Sequence, residues 1–566
     1  MYSHPMRKMR TRRVSGPDRF RRLIPRAILL AALLLSLALV SSAQISVLTQ
    51  HNDIGRTGQN LDETILTTSD VNPTQFGKLF SLPVDGQVYA QPLYIQGISI
   101  GGVVHNVLIV ATENDSVFAF DADSNTGANA NPLWKASLVD AAHGATAGEE
   151  PLNSASTIGC TDLQPIIGIT STPVIDPTSG TIYVEAKSWN GSSTYYHRLH
   201  ALDLLTGNEK TPGPVLIAAT VPGTGQGSSR DKLTFDPLHH HNRPGLLLVN
   251  GVIYVGFASH CDDKPYHGWL FAYDESTLAQ QGVWVSTPNS GLGGVWMSGS
   301  GIASDSSGNI FLATGNGVFE DSQTPLEYGD SIVKISLGSS GFSVLDFFTP
   351  HAQLMMASTD SDLGSGGVLL LPDQPGANTH LLVEAGKVGR IYLVDRDMMT
   401  LDNEHYCKTC TKSDTEIVQE SANAEIGGLW SMPAYWNGNI YFGGSGDELR
   451  SIPLVNGLLN YSSITTSGNS FGFPGATPSI SANGATNGIV WAIDSSQYGS
   501  PGPGPGPAVL HAYNASNVAV ELYNTTMASG NRDQAHNAVK FSVPTIANGK
   551  VYFGTTGFVD VYGLLP

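Results

Sequence analysis

The stretch VLIVATENDSVFAFD, residues 107–121, decides the fold of this 566-residue chain. β-Branched and aromatic residues alternate with smaller ones on both sides of a short polar turn, a pattern typical of two antiparallel strands. The same strand–turn–strand unit returns as GKVYFGTTGFVDVYGLL at residues 549–565. A hairpin repeated near both ends of the chain indicates one architecture throughout.

Between these two hairpins the unit recurs at regular intervals. Eight units are present, and they begin at Val107, Gly180, Gly251, Gly308, Gly389, Gly438, Gly488 and Gly549. Repetition at this spacing, with almost no helical periodicity, predicts an all-β, eight-bladed β-propeller. The segment from Phe76 to Asp85 precedes the first full unit, so we expect it to form the outer strand of the last blade and to close the ring.

The N-terminus has the composition of an export signal. Nine basic residues precede an apolar run from Ala27 to Val40, and Ser41-Ser42-Ala43 then offers the small residues that a signal peptidase reads. The run has fourteen residues, which is short for a permanent membrane anchor, although an uncleaved anchor is the alternative. The sequence therefore predicts a secreted or periplasmic protein.

The predicted boundaries are a signal peptide at 1–43, an N-terminal segment at 44–75 and a single propeller domain at 76–566. The run SPGPGPGP at residues 500–507 has the composition of a linker. Because it interrupts a repeat, we interpret it as a loop within a blade and not as a domain boundary.

The charge balance argues against nucleic acid as a partner. The chain has 29 basic and 48 acidic residues, a net charge of −19, which becomes −27 once residues 1–43 are removed. A surface this acidic repels phosphate backbones.

Four cysteines suit an oxidising compartment. We predict one disulfide between Cys407 and Cys410 in a local loop and another between Cys160 and Cys261 across neighbouring blades. The Cys-x-x-Cys spacing also permits a redox or metal site, but no second ligand pair accompanies it. Thr411 stands where a covalent haem site needs histidine.

Several short motifs between Cys261 and Trp430 carry a sharper signal than the repeats. They are DDKPYHGWLFAYD at 262–274, GVWMSGSG at 294–301, ATGNG at 313–317, TPH at 349–351, DSDLG at 360–364 and GGLW at 427–430. In these motifs the chain resembles the quinoprotein alcohol dehydrogenase family, eight-bladed propellers that hold pyrroloquinoline quinone (PQQ) over Ca²⁺. The fold-level resemblance covers about residues 76–566.

The resemblance implies a set of site residues. Asp263 and Asn316 would be Ca²⁺ ligands, Trp296 would form the floor beneath the quinone, Lys387 and Trp430 would contact the quinone, and Asp360 would be the catalytic base. Hard oxygen ligands suit Ca²⁺, and a carboxylate can take the proton of a substrate hydroxyl. Blade-entry loops converge on one face of a propeller, so residues distant in sequence can meet there.

Two functions stay open from the sequence. The first is a PQQ- and Ca²⁺-dependent oxidoreductase that acts on an alcohol or a sugar. The second is a non-catalytic propeller that binds a protein or a glycan, because the chain lacks the family's adjacent cysteine pair, has Thr359 where the family has tryptophan, and has Asp263 where it usually has glutamate. A glycoside hydrolase would need two carboxylates on either side of the scissile bond, and the sequence alone does not show which acids lie close together.

The histidines at 239–241 also permit a metal site together with His260 or His267. Adjacent side chains of an extended segment point to opposite faces, so all three cannot bind one ion. The alternative is that they pack in loops or at the surface.

Overall fold

The computed structural model of the chain describes residues 46–499 and 504–566. The predicted signal peptide lies outside the described residues, as do residues 500–503 of the glycine- and proline-rich run. Within the two described ranges, no helix has the length and apolar character needed to cross a membrane.

Eight antiparallel sheets follow one another along the chain as the blades of a β-propeller, which confirms the predicted fold class. Blades 1 and 2 consist of Leu93–Ile100, Val103–Thr112, Ser116–Asp121 and Trp134–Ser137, then Val174–Asp176, Thr181–Trp189, Tyr195–Asp203 and Val215–Leu216. Blades 3 and 4 consist of Leu247–Val249, Val252–Ser259, Trp269–Asp274 and Gln280–Val285, then Ala303–Ser304, Ile310–Ala313, Ile332–Gly338 and Gly341–Phe348.

The second half of the ring repeats this plan. Blades 5 and 6 consist of Leu369–Leu370, Leu381–Ala385, Ile391–Asp395 and Gln419–Glu420, then Ala434–Trp436, Asn439–Gly443, Asp447–Val455 and Thr465–Phe471. Blades 7 and 8 consist of Ser479–Asn483, Thr486–Asp494, Val509–Asn514 and Glu521–Asn524, then Thr545–Ala547, Lys550–Gly554, Thr556–Leu564 and Phe76–Gln87.

Short strands and helices occupy the connections. Five strands extend blades: Gln59–Asn60, Glu150–Asn153, Ile166–Ile167, His240–His241 and Leu458–Leu459. Two small ribbons pair Thr220–Pro222 with Lys232–Thr234 and Tyr498–Gly499 with Gly504–Pro505. The α-helices are Ser154–Thr157 and Gln353–Ser358, and the 3₁₀ turns are Gly127–Ala130, Ala141–His143, Leu363–Ser365, Leu401–Asn403, Tyr461–Ser463 and Ser529–Asn531.

The N-terminal strand closes the ring, as predicted. Phe76–Gln87 pairs antiparallel with Thr556–Leu564, the last strand of the chain, and becomes the outer strand of blade 8. Both predicted disulfides are formed, Cys160 with Cys261 and Cys407 with Cys410.

A recurring tyrosine in the second strand of a blade ties it to the next blade. The hydroxyl of Tyr183 donates to the carbonyl oxygen of Glu275, and that of Tyr441 donates to Ala515. At the seam of the ring, Tyr552 of blade 8 donates to Ala122 of blade 1. In these three blades the tyrosine ring packs between neighbouring blades while its hydroxyl is hydrogen-bonded.

Residues 46–60, which we call the hub segment, run along the innermost strands and hydrogen-bond to every blade. Backbone or side-chain bonds join the segment to Tyr94, Ile175, Leu246, Ser304, Leu370, Tyr435, Ile480 and Ile546, one residue in or beside the first strand of each blade. The buried Arg56 makes the most bonds, to the carbonyl oxygens of Gln50, Leu246 and Ile302 and to the Thr49 hydroxyl. The hub segment thus satisfies backbone groups that the inner strands leave unpaired.

Candidate functional site

A cavity of about 550 Å³ opens on the face of the ring where the blade-entry loops meet. Four of the predicted site residues line it: Trp296, Asp360, Lys387 and Trp430. Trp296 lies between blades 3 and 4, Asp360 between blades 4 and 5, Lys387 after the second strand of blade 5, and Trp430 just before blade 6. The ring architecture therefore brings together residues that are up to 134 positions apart in the chain.

One part of the cavity wall is polar and consists of an ammonium group and two carboxylates. The Nζ of Lys387 lies 2.7 Å from Oδ1 of Asp360 and 2.6 Å from Oδ2 of Asp362. The side-chain amide of Asn316 donates to Oδ1 of Asp360 at 2.9 Å, and its backbone N–H donates to Oδ1 of Asp362 at 2.6 Å. Gly315 permits this approach, because a β-carbon there would lie 2.6 Å from Oδ1 of Asp362.

The two carboxylates differ in exposure. The side chain of Asp360 is 66% exposed, that of Asp362 only 11%. Both bonds to Asp360 fall on Oδ1, so its Oδ2 has no hydrogen bond to any described residue. Asp360 has a left-handed backbone (φ 53°), which holds the carboxylate in this position at some conformational cost.

Burial and charge shift the pKa values of this group. Burial raises the pKa of Asp362, and the adjacent Lys387 only partly offsets it. For Lys387, burial alone lowers the pKa, but the carboxylates of Asp362 and Asp360 outweigh it and the pKa is raised. Behind them, burial raises the pKa of Asp330 to about 8, with Asp362 adding to the effect. Lys387 therefore stays cationic at neutral pH.

Aromatic rings flank this polar part of the cavity wall. The ammonium of Lys387 lies 5.5 Å from the centre of the Trp296 ring, within the range of a cation–π contact. Trp430 packs edge-to-face on Phe473, with ring centres 5.1 Å apart. Both tryptophans are half-buried and line the cavity. They could bind a flat ring, while the ammonium of Lys387 would donate to its oxygen atoms.

The structure does not bring Asp263 to this group. Its side chain is 54% exposed and lies 3.7 Å from Nε2 of His239, whereas the preceding residue, Asp262, lines the cavity. The predicted Asp263–Asn316 ligand pair is therefore separated, because Cys261 and Asp262 adopt left-handed conformations (φ 46° and 54°) that turn Asp263 away.

The histidine triplet has separate roles. His239 contacts Asp236, His240 accepts from the backbone of His267, and His241 bonds to Thr170. His241 also stacks on His260 at the cavity wall, with ring centres 4.4 Å apart. None of these histidines belongs to the groups of metal-ligating atoms that converge within the described residues. The loop-packing interpretation accounts for the triplet.

Two cavity residues were not predicted from the sequence. Arg243 and Lys540 line the cavity on the side of blades 3 and 8 and are only 5% and 4% exposed. Each precedes the first strand of its blade by a few residues, close to a proline. A search for basic residues at this shared position would have found Arg243 and Lys540, because the segments that lead into the first strands lie near the central axis of the propeller.

The residues at the centre of the cavity fit the cofactors that the resemblance implies, with a changed ligand set. Asn316 has a buried Oδ1 without a partner among the described residues, and Asp362 offers a buried carboxylate, both of which are oxygen donors that Ca²⁺ accepts. Turning the Asn316 amide over would place this oxygen beside Asp360, an arrangement that a cation favours. The tryptophans and Lys387 fit a quinone.

Comparisons with known proteins place this fold among quinoprotein structures. No protein-family model matches the sequence, and no curated protein matches it as a relative. Among solved structures, a quinohemoprotein alcohol dehydrogenase from Pseudomonas putida HK5 is 12% identical, covers 92% of this chain and 80% of its own, and has a TM-score of 0.56. The enzyme of the same name from Comamonas testosteroni is 12% identical, with coverages of 93% and 81% and a TM-score of 0.56.

A europium-containing methanol dehydrogenase is also similar in structure, at 12% identity, coverages of 92% and 98% and a TM-score of 0.55. At this identity the likeness concerns the fold. The chain is therefore a β-propeller of the kind found in quinoprotein dehydrogenases.

Proposed function

We propose that this chain is an exported, PQQ- and Ca²⁺-dependent oxidoreductase that acts on an alcohol or a sugar in the cavity described above. The observation that supports this most is that Trp296, Asp360, Lys387 and Trp430 line one cavity, with Asn316 bonded to Asp360. Their sequence motifs lie in the order that the resemblance implies. The quinoprotein dehydrogenases with the same fold make this cofactor the first to test.

Each residue has a role in this proposal. Trp296 and Trp430 would flank the PQQ ring, Lys387 would face its oxygen atoms, and Asp362 and Asn316 would hold Ca²⁺. When bound, the quinone would supply the two-electron acceptor for the hydride that leaves the alcohol carbon. The free Oδ2 of Asp360 would take the hydroxyl proton as a general base. The cationic Lys387 would stabilise negative charge that develops next to it.

The first test is a titration of the mature protein with PQQ, with and without Ca²⁺, followed by the absorbance of the quinone. We expect saturable binding that requires Ca²⁺ and that weakens at least about tenfold in Trp296→Ala and Asn316→Ala, since each loses a direct contact. Trp284→Ala is the matched control, because Trp284 lies on the outer strand of blade 3, away from this cavity. Eu³⁺ replaces Ca²⁺ in a parallel series.

The outcome separates the two functions. If PQQ does not bind at micromolar concentration with either ion, the cofactor proposal is wrong. The chain would then be a propeller that binds a protein or a glycan without quinone chemistry.

A further inference from the structure

Two buried cations line the cavity without an acidic partner. Nε and Nη2 of Arg243 have no hydrogen-bond partner, and neither Arg243 nor Lys540 forms an ion pair with any described residue. The other buried arginines have partners for their donors: Arg198 binds Glu149, Arg390 binds Glu420, and Arg56 binds backbone carbonyl oxygens. Because an unpaired buried charge is costly, the exception at Arg243 requires an explanation.

The two cations lie against the same ring. The guanidinium carbon of Arg243 is 4.6 Å from the centre of the Phe541 ring, and the ammonium of Lys540 is 5.4 Å from it. Tyr89 and Tyr498 complete the aromatic surround, at 5.8 Å from Arg243 and 5.3 Å from Lys540. Aromatic faces stabilise a cation but leave its hydrogen-bond donors unused. Nε and Nη2 of Arg243 are buried, so the donors that a ligand in the cavity can reach are Nη1 of Arg243 and the ammonium of Lys540.

The nearby acids form no ion pair with Arg243 or Lys540 among the described residues. Glu113 accepts hydrogen bonds from the Gly168 backbone and the Thr170 hydroxyl, and burial raises its pKa to about 7. Asp162 lines the cavity but is exposed and forms no ion pair among the described residues. Burial lowers the pKa of Lys540 to about 8 and that of Arg243 to about 10, so both remain largely cationic at neutral pH.

We propose that Arg243 and Lys540 form a carboxylate subsite, so that the ligand of this cavity is an organic anion. A guanidinium presents parallel N–H donors that match a carboxylate, and an ammonium adds a second charge. Arg243 and Lys540 lie just before the first strands of blades 3 and 8, whereas Asp360 and Lys387 lie in loops around blades 4 and 5, and all four line the same cavity. The carboxylate could belong to a free organic acid or to the quinone cofactor, which carries carboxylates of its own.

The test is calorimetric titration of the mature protein with malonate, with malonamide as its uncharged analogue and PQQ plus Ca²⁺ as a separate arm. We expect a carboxylate ligand to bind the wild-type protein and to weaken at least about tenfold in Arg243→Met and in Lys540→Met. Malonamide should not bind. Arg230→Met is the matched control, since Arg230 is exposed and lies outside the cavity.

The malonate arm does not require the proposed quinone chemistry, so the two proposals fail separately. Malonate binding that depends on Arg243 assigns the subsite to a free acid. PQQ binding that depends on Arg243, without malonate binding, assigns it to the cofactor. If neither variant changes the binding of either anion, or if malonamide binds as well as malonate, the subsite does not exist.

The melting temperature without ligand gives a second readout. Replacing an arginine that stabilises the fold would lower the melting temperature, whereas replacing an unpaired buried charge with an apolar side chain should not. We therefore expect the melting temperature of ligand-free Arg243→Met to equal or exceed that of the wild-type protein. A large decrease would show that Arg243 serves the fold and would overturn the proposal.

Discussion

Asp360→Asn should lower the turnover of alcohol or sugar by about 10²- to 10⁴-fold, the usual contribution of a general base. Asparagine keeps the shape and the bond from Asn316 but cannot take a proton at the position of the free Oδ2. Binding of PQQ should change little, because Asp360 is not among the residues assigned to the quinone or to Ca²⁺. The measurement is dye-linked oxidation at saturating PQQ and Ca²⁺.

The control is Asp373→Asn, because Asp373 is an exposed acid in the loop between the first two strands of blade 5 and does not line the cavity. It should keep full turnover. If Asp360→Asn also turns over at the wild-type rate, then Asp360 is not the base, and Asp362 becomes the next carboxylate to replace.

The repeats were sufficient to predict the ring. Each hairpin has strand periodicity of its own, so eight hairpins predict eight blades, and Phe76–Gln87 was recognisable as a strand with no partner nearby in sequence. Its pairing with Thr556–Leu564 follows from the need to cover two open sheet edges. For this strand, the local sequence pattern and the need to close the ring predict the same position.

The hub segment could not be predicted in the same way. It has no periodicity, and backbone and side-chain bonds to all eight blades hold it in place. Its path also requires left-handed conformations at His51, Asn52 and Arg56, which are not glycines. Such conformations persist only where the surrounding structure imposes them. Tertiary contacts that no local pattern encodes therefore determine the path of this segment.

The sequence predicted the location of residues that occupy a repeated position in the blade. It did not predict the location of residues whose position depends on the conformation of a loop or on the closure of the ring. Asn316 and Lys387 each follow a second strand, so the propeller plan places them at one end of the ring. Asp263 lies in a loop whose direction depends on two left-handed residues, Cys261 and Asp262. Arg243 and Lys540 are nearly three hundred residues apart, and only the closure of the ring brings them to one cavity.

Arg56→Met should lower the free energy of unfolding by about 3–5 kcal/mol, because it removes the donors that three buried carbonyl groups share. Methionine keeps much of the apolar length, so the loss comes mainly from unpaired oxygens of Gln50, Leu246 and Ile302. Burial lowers the pKa of Arg56 to about 10, and the side chain is still charged at neutral pH. Urea unfolding, read from the midpoint at constant slope, measures the change.

The matched control for the hub segment is again Arg230→Met, an exposed arginine whose loss should change the free energy of unfolding by less than about 0.5 kcal/mol. A similarly small effect of Arg56→Met would mean that the blades hold together without the hub, since neighbouring blades also bond directly through Tyr183, Tyr441 and Tyr552. A loss of several kcal/mol would instead mean that the ring depends on its centre. The hub segment bonds to all eight blades, whereas each tyrosine joins only two, so we expect the larger loss.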